Sequence, residues 1–268
     1  MTPAPQNHFT STKAKREALA ILADYFCLDT KMAAELLGIS ARAVQAHYQR
    51  LIRAELVYGI RYQPEEHEKG AIPMAYGLSD SGVTKALSEG FSTDSTKTIK
   101  GHKPSRLEHE IMISRFHLEL AGLCEGNGWD VRWRQKDLQH GVYPDALFSV
   151  NGVYFFLEIE RAKLGDYKDG EPQILRKLRT YRDYYDSTAC EKEFGFRRFR
   201  VVTVMRTAVR ASNLSQRVAD IGLDPAMFVV SSEQQLFNRT LRQKADPAHP
   251  AYIVPAPLCA ILGLAIAG

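Results

Sequence analysis

Gly141-Val-Tyr-Pro-Asp-Ala-Leu-Phe-Ser-Val-Asn-Gly-Val-Tyr-Phe-Phe-Leu-Glu-Ile-Glu160 is the stretch whose reading decides the fold. Ala146–Val150 is apolar and β-prone, Asn151-Gly152 is the dipeptide of a two-residue hairpin turn, and 153–159 reads as a second strand. Antiparallel pairing brings Asp145, at the start of one strand, beside Glu158, near the end of its partner. Glu160 shares the face of Glu158 because strand side chains alternate. Three carboxylates at one end of a hairpin suit a hard divalent cation, Mg²⁺ or Mn²⁺. Flanked by such apolar strands, these acids belong at the rim of a core rather than on a solvated edge.

Upstream, the first third reads as a helix-turn-helix with a wing. Apolar residues recur at helical spacing over 12–24, and a short helix is expected over 30–37 with Thr30 as its N-cap. Gly38 supplies the turn, and Ser40 caps a third helix over 41–54 whose buried stripe is Val44, Tyr48, Leu51 and Ile52. Arg42, Gln45, Gln49 and Arg50 then remain to reach base edges or phosphates in a major groove, between small alanines that permit close approach. Strands at 57–62 and 72–78 enclose a tip where Glu65, Glu66 and Glu68 outnumber Lys69, so duplex contact is expected from the third helix rather than from the wing. The expected domains are a winged helix over 1–91 and a basic linker over 92–106, followed by an α/β domain over 107–246 and an apolar tail over 247–268. Lys97, Lys100 and Lys103 in the linker are suited to a phosphate backbone.

Downstream of the linker the elements run as a helix over 105–124, a strand over 129–134, the hairpin, a helix over 171–186, a strand over 199–205 and a helix over 213–220. That order predicts an α/β (α+β) sandwich around a mixed sheet.

Pro144-Asp145, a hairpin and Glu158-Ile-Glu160 in this order resemble the core of the PD-(D/E)xK nuclease superfamily. The chain is more closely similar to the replication-relaxation family, which includes relaxases of the MOBC class of mobilisable plasmids, over about residues 12 to 210. The resemblance implies a winged helix joined to a restriction-endonuclease-like domain, and a relaxase or nickase that recognises an origin of transfer and cuts one strand. Glu160 departs from the pattern, since the nuclease motif carries lysine there. Lys163 or Lys177 would have to supply the missing positive charge.

The chemistry follows from the acids. Asp145 and Glu158, with the Ile159 carbonyl, would hold the cation, while Glu160 would complete its shell or take a proton from the attacking group. Lys177 and Tyr181 lie one helical turn apart and can point at one groove. His109, beside Glu108 and Glu110 on the first core helix, and Tyr143, beside the acids, are accessory candidates. A phosphotyrosine mechanism of the paired-histidine type is disfavoured, because His102, His109, His117 and His140 show no such pairing.

Composition sets outer limits. A hydrophobic fraction of 45% with 25% charged residues fits a folded, cytoplasmic chain rather than a disordered one, and a net charge of +4 permits contact with nucleic acid. Cys27, Cys124, Cys190 and Cys259 are too scattered for a zinc site or a disulfide framework. No apolar run marks a signal peptide at the start, and Pro255 and Pro257 interrupt the apolar tail, so no membrane insertion is expected. The expected partners are double-stranded origin DNA, a cleaved single strand, other transfer or coupling proteins, and a second copy in a homodimer. Two readings from different classes stand: the metal-dependent relaxase, and a non-catalytic winged-helix accessory factor of plasmid transfer, replication or transcription. A restriction-like nuclease would share the first one's chemistry.

Overall fold

The computed structural model describes residues 13–62, 72–91, 98–135, 142–161, 167, 168, 171–237, 258, 262 and 263. It opens with α1 (Lys13–Asp24), β1 (Leu28–Asp29), α2 (Thr30–Leu37), α3 (Ala41–Arg53), β2 (Val57–Arg61), β3 (Met74–Leu78) and α4 (Asp80–Ser88). The strands form an antiparallel sheet in the order β1-β3-β2, with Val57 opposite Leu78 and Leu28 opposite Tyr76. This is the winged-helix arrangement. The N-cap of α2 is Asp29 rather than Thr30: Asp29 ends β1 in an extended conformation, and its carboxylate accepts the Met32 N–H at 2.8 Å. Gly38 closes α2 at φ 63°, where a residue without Cβ is unstrained. Ser40 caps α3, and Val44, Tyr48 and Leu51 are buried while Ile52 is half-buried. The Tyr48 ring stacks on Tyr76 at 4.4 Å. The wing tip over 63–71 lies outside the described residues.

The stretch expected as a linker is partly built into this unit. Ile99 is buried, lying where a Cβ on Gly77 would crowd it at 3.0 Å, and His102 faces the Phe26 ring at 6.1 Å. A single apolar residue among Ser, Thr and Lys gave no periodic signal, yet it fills the hollow that a glycine leaves in the sheet. α5 (Pro104–Asn127) follows. The chain divides into two units, Met1–Phe116 and His117–Gly268, so the division falls within α5 rather than between 91 and 107.

The second unit continues with β4 (Val131–Arg134), β5 (Ala146–Val150), β6 (Val153–Glu160), β7 (Tyr167–Lys168), β8 (Glu171–Pro172), α6 (Gln173–Asp186), α7 (Ala189–Phe194), β9 (Phe199–Met205), α8 (Ala208–Asp220), β10 (Phe228–Ser232) and α9 (Glu233–Phe237). Its main sheet is mixed, in the order β10-β9-β6-β5-β4, with β4, β5 and β6 antiparallel and β6, β9 and β10 parallel. One face buries Leu147, Phe156, Phe199 and Val201 under Leu178 and Tyr181 of α6 and Leu214 of α8. On the other face, stacked rings run from His117 to Trp133 (4.2 Å), Phe148 (5.8 Å) and Phe155 (4.9 Å). Burial pushes the His117 imidazole down to about 4, so it stays neutral within that stack. The fold is thus a mixed α/β one, a winged helix followed by a sheet with helices on its faces.

Three differences from the expected elements have local causes. Glu171 and Pro172 pair as β8, so α6 begins only at Gln173. Thr207 caps α8, its hydroxyl accepting the Arg210 N–H at 3.3 Å, so the helix starts at Ala208 rather than near 213. β10 and α7 are too short to show a period of their own. In the tail, Leu258 and Leu262 are buried, and the Leu262 carbonyl accepts from Arg200 of β9 at 2.7 Å. Among the described residues no helix is long and apolar enough to cross a membrane.

Candidate functional site

The hairpin sets the site. Asn151 and Gly152 both take positive φ (48° and 80°), the two-residue turn whose twist matches its strands, and the register runs from Val150↔Val153 to Ala146↔Leu157. Pro144 has no N–H to give, and β5 begins after it, so β6 overhangs its partner by the three residues 158–160. Asp145 binds that overhang: its N–H donates to the Leu157 carbonyl at 2.9 Å, and its carboxylate accepts the Ile159 N–H at 2.7 Å. The register ends at Ala146↔Leu157, so Asp145 and Glu158 are the next residues outward on the two strands, close enough for the Asp145 charge to act on Glu158. A strand residue's N–H and C=O point to the same side, so the Ile159 carbonyl opens toward Asp145 as well.

Glu158 is 2% exposed and lies under α6. Lys177 donates to one of its oxygens and Tyr181 to the other. The i, i+4 spacing puts both donors on one side of the helix. Burial pushes the Glu158 carboxyl up to about 8; the Lys177 ammonium opposes that rise, the Asp145 charge adds to it, and the hydrogen bonds from Lys177 and Tyr181 moderate it. For Lys177 burial acts downward, but the charges of Glu158, Asp145 and Glu160 outweigh it and hold the ammonium above its ordinary range. Burial, and then the Glu158 charge, drive the Tyr181 hydroxyl well above the range of an exposed phenol, which makes it a fixed hydrogen-bond donor and a poor nucleophile.

Glu160 is half-buried, and its charge reaches Lys177. It nevertheless stands about 7 Å further along the strand than Glu158, two residues at the usual rise. Among the described residues no three His, Cys, Asp or Glu side chains gather closely enough to hold a metal ion, so the three acids do not form one cage. The donor set that fits a hard cation is smaller: Asp145, Glu158 and the Ile159 carbonyl, with water completing the shell. Each carboxylate oxygen has two lone pairs, so the bonds from Lys177 and Tyr181 leave acceptor capacity on Glu158.

The other expected residues are dispersed. Lys97 and Lys163 lie outside the described residues. Tyr143 is exposed beside Pro144. Tyr184 donates to Glu193, and Tyr185 meets Phe199 edge-on, so of the tyrosine cluster only Tyr181 touches Glu158. In the first unit, Arg42, Gln45 and Gln49 fall at i, i+3 and i+7 on the exposed side of α3, with Arg50 exposed beside them. Lys100 sits 5.9 Å from the Tyr58 ring centre, and Lys103 is exposed. Buried Glu110 pairs with Arg106 at 2.5 Å, next to half-buried His109.

Sequence reasoning missed the fastening at the end of β6. Arg161 pairs with Glu233 at 2.6 Å, and Arg210 donates to the Arg161 carbonyl at 3.3 Å, which ties the strand that carries the acids to α9 and α8. Recognising Thr207 as a cap would have drawn attention to Arg210.

Solved structures to which the chain is similar include NadR in complex with 4-hydroxyphenylacetate, with 15% identity over 41% of this chain and a TM-score of 0.24. The alignment spans 62% of that NadR chain, less than two-thirds of its length. Two others are a MepR–DNA complex from S. aureus (16% identity, 43% of this chain and 79% of that one, TM-score 0.26) and the zinc-responsive MarR family member ZitR of Lactococcus lactis (19%, 46% and 82%, 0.26). At those scores the likenesses carry no argument. No curated protein matches the chain. The family model described as replication-relaxation matches residues 19–198, which take in the winged helix, the acidic hairpin and α6. The chain therefore belongs to the replication-relaxation family.

Proposed function

We propose that this protein is a DNA relaxase or nickase of a mobile element, which engages an origin of transfer through α3 of its winged unit and cuts one strand at Asp145 and Glu158. The observation that carries the reading is the approach of Lys177 to Glu158, with the Asp145 charge beside both. The positive charge that Glu160 denies to the motif position arrives instead from α6.

Asp145, Glu158 and the Ile159 carbonyl would hold Mg²⁺ or Mn²⁺, which neutralises charge on a scissile phosphate and lowers the pKa of bound water. Tyr181 and Lys177 fix the plane of the Glu158 carboxylate. Lys177, charged throughout the neutral range, places an ammonium where phosphate charge develops. Glu160, further out on the strand, would accept the proton of the attacking group. Arg42, Gln45 and Gln49 would read the duplex, and Arg50, Lys100 and Lys103 would add phosphate contacts.

One observation favours a second reading. Both oxygens of Glu158 are already engaged by α6, as in an ion-pair network whose task is to pin the helix to the sheet. A chain using the acids only in that way would be a non-catalytic DNA-binding accessory factor. Nicking of supercoiled origin DNA with Mg²⁺ or Mn²⁺ separates the two. Strand-specific, metal-dependent cutting that disappears in Asp145→Ala and Glu158→Ala is the expected result. Binding without cutting, unchanged by either substitution, would leave the accessory factor.

A further inference from the structure

A cavity of about 500 Å³ opens within the first unit, among the start of α2, α3, the end of β2, the start of β3 and α5. That is the size of a small-molecule site, and its walls are mostly apolar, built from Pro73, Met74, Ile111 and Met112. The two methionines, unbranched and polarisable, can adapt their shape to an aromatic ring. Four charged side chains also line it, and their charges cancel: Lys31 and Arg115 against Asp29 and Glu108. Asp29 is already committed to the Met32 N–H. Tyr62, on the same wall, is only 5% exposed, and its N–H donates to the Pro73 carbonyl at 3.2 Å. Among the described residues its hydroxyl has no hydrogen-bond partner, whereas Tyr181 and Tyr184 each give theirs to a carboxylate. A buried hydroxyl left unpaired costs free energy, and a ligand that brings an acceptor recovers it. Burial first, then the charges of Asp29, Cys27 and Glu108, hold this phenol above its ordinary range against the pull of Arg115. It therefore stays a donor at neutral pH.

We infer that this cavity binds a small, uncharged aromatic molecule carrying one oxygen that accepts the Tyr62 hydrogen bond. Gln45 lines the same cavity from α3 while remaining exposed. The occupant therefore shares Gln45 with the duplex, and its binding weakens that of DNA. This coupling rests on the reading that α3 engages DNA; the cavity and its occupant do not depend on it.

The test titrates the full chain with 6-propionyl-2-(dimethylamino)naphthalene, an uncharged fluorescent naphthalene with one ketone oxygen. Wild type should bind it saturably, with emission shifted to the blue. Tyr62→Phe, which removes a single oxygen, should bind about fivefold more weakly, as one neutral hydrogen bond implies. Met112→Trp, with its fold checked by thermal unfolding, should fill the cavity and abolish binding. Tyr62→Phe keeps the test standing if Met112→Trp does not fold. No saturable binding by wild type, or binding that Tyr62→Phe or a folded Met112→Trp leaves unchanged, would overturn the inference. Anisotropy of a fluorescein-labelled duplex, at one salt concentration, reads the coupling. The saturating naphthalene should weaken duplex binding several-fold, and the duplex should weaken the naphthalene by the same factor. Duplex affinity unmoved by the naphthalene would sever the link to Gln45. A chain that binds the naphthalene but no duplex at all would retire the DNA reading of α3 and leave the cavity assignment in place.

Discussion

Glu158 makes folding depend on pH in a definite direction. Its carboxyl is raised to about 8 by burial, so the folded chain holds this proton more tightly than the unfolded one. The associated stability is fully present below the ordinary carboxylate range and is lost as pH rises through about 8. Lys177 is also raised, and its contribution is lost only above the ordinary lysine range. Between pH 5 and 8 the wild-type unfolding midpoint should therefore fall relative to Glu158→Gln, by the equivalent of a few kcal/mol. Parallel curves for the two chains in thermal scans would refute this. Lys177→Met removes the main force pulling the Glu158 pKa down. Metal binding needs the ionised acid, so the alkaline rise of metal-dependent nicking should move up by about one pH unit in that variant. An unshifted pH–rate profile would mean that Glu158 is not the titrating ligand.

The β5–β6 hairpin was legible because every level of the sequence agreed on it: β-prone runs, an Asn-Gly turn, and acids at matching distances from that turn. Gly152→Val should cost about 1–2 kcal/mol in denaturant unfolding, since its φ of 80° suits glycine. The start of α4 shows the opposite case, a junction that no spacing rule reveals. Ser79 caps the helix through the Gly82 N–H at 3.0 Å, while its hydroxyl donates to the Glu55 carbonyl at 2.5 Å. A Cβ on Gly82 would overlap the Leu56 carbonyl oxygen. Gly82→Ala should therefore destabilise the winged unit by about 3 kcal/mol, a large effect for one methyl group; a loss under ~0.5 kcal/mol would show that the backbone yields there. β10 and α7 were illegible for want of length. Five and six residues complete barely two alternations or one and a half turns, and their place is decided by β9 and α6 beside them.

Taken whole, the chain was read correctly in class and misread in its joints. The acids, their hairpin and the winged helix are local patterns. The division within α5 and the docking of the tail depend on contacts between distant residues, Ile99 with Gly77 and Arg200 with Leu262. At Leu258 and Leu262 the apolar tail serves the chain's own interior. Leu262→Ala, at a fully buried position, should cost about 2–4 kcal/mol in the second unit, as for other core leucines. Unaltered unfolding would mean that the tail packs only loosely. Asp145 and Glu158 stand at equal distances from the Asn151-Gly152 turn, and alternation sends odd and even positions to opposite layers of the sheet. One residue gained or lost within this hairpin would carry an acid from the α6 layer into the layer of stacked rings. Descendants of this chain are thus free to change length in many connections, but here they must inherit parity.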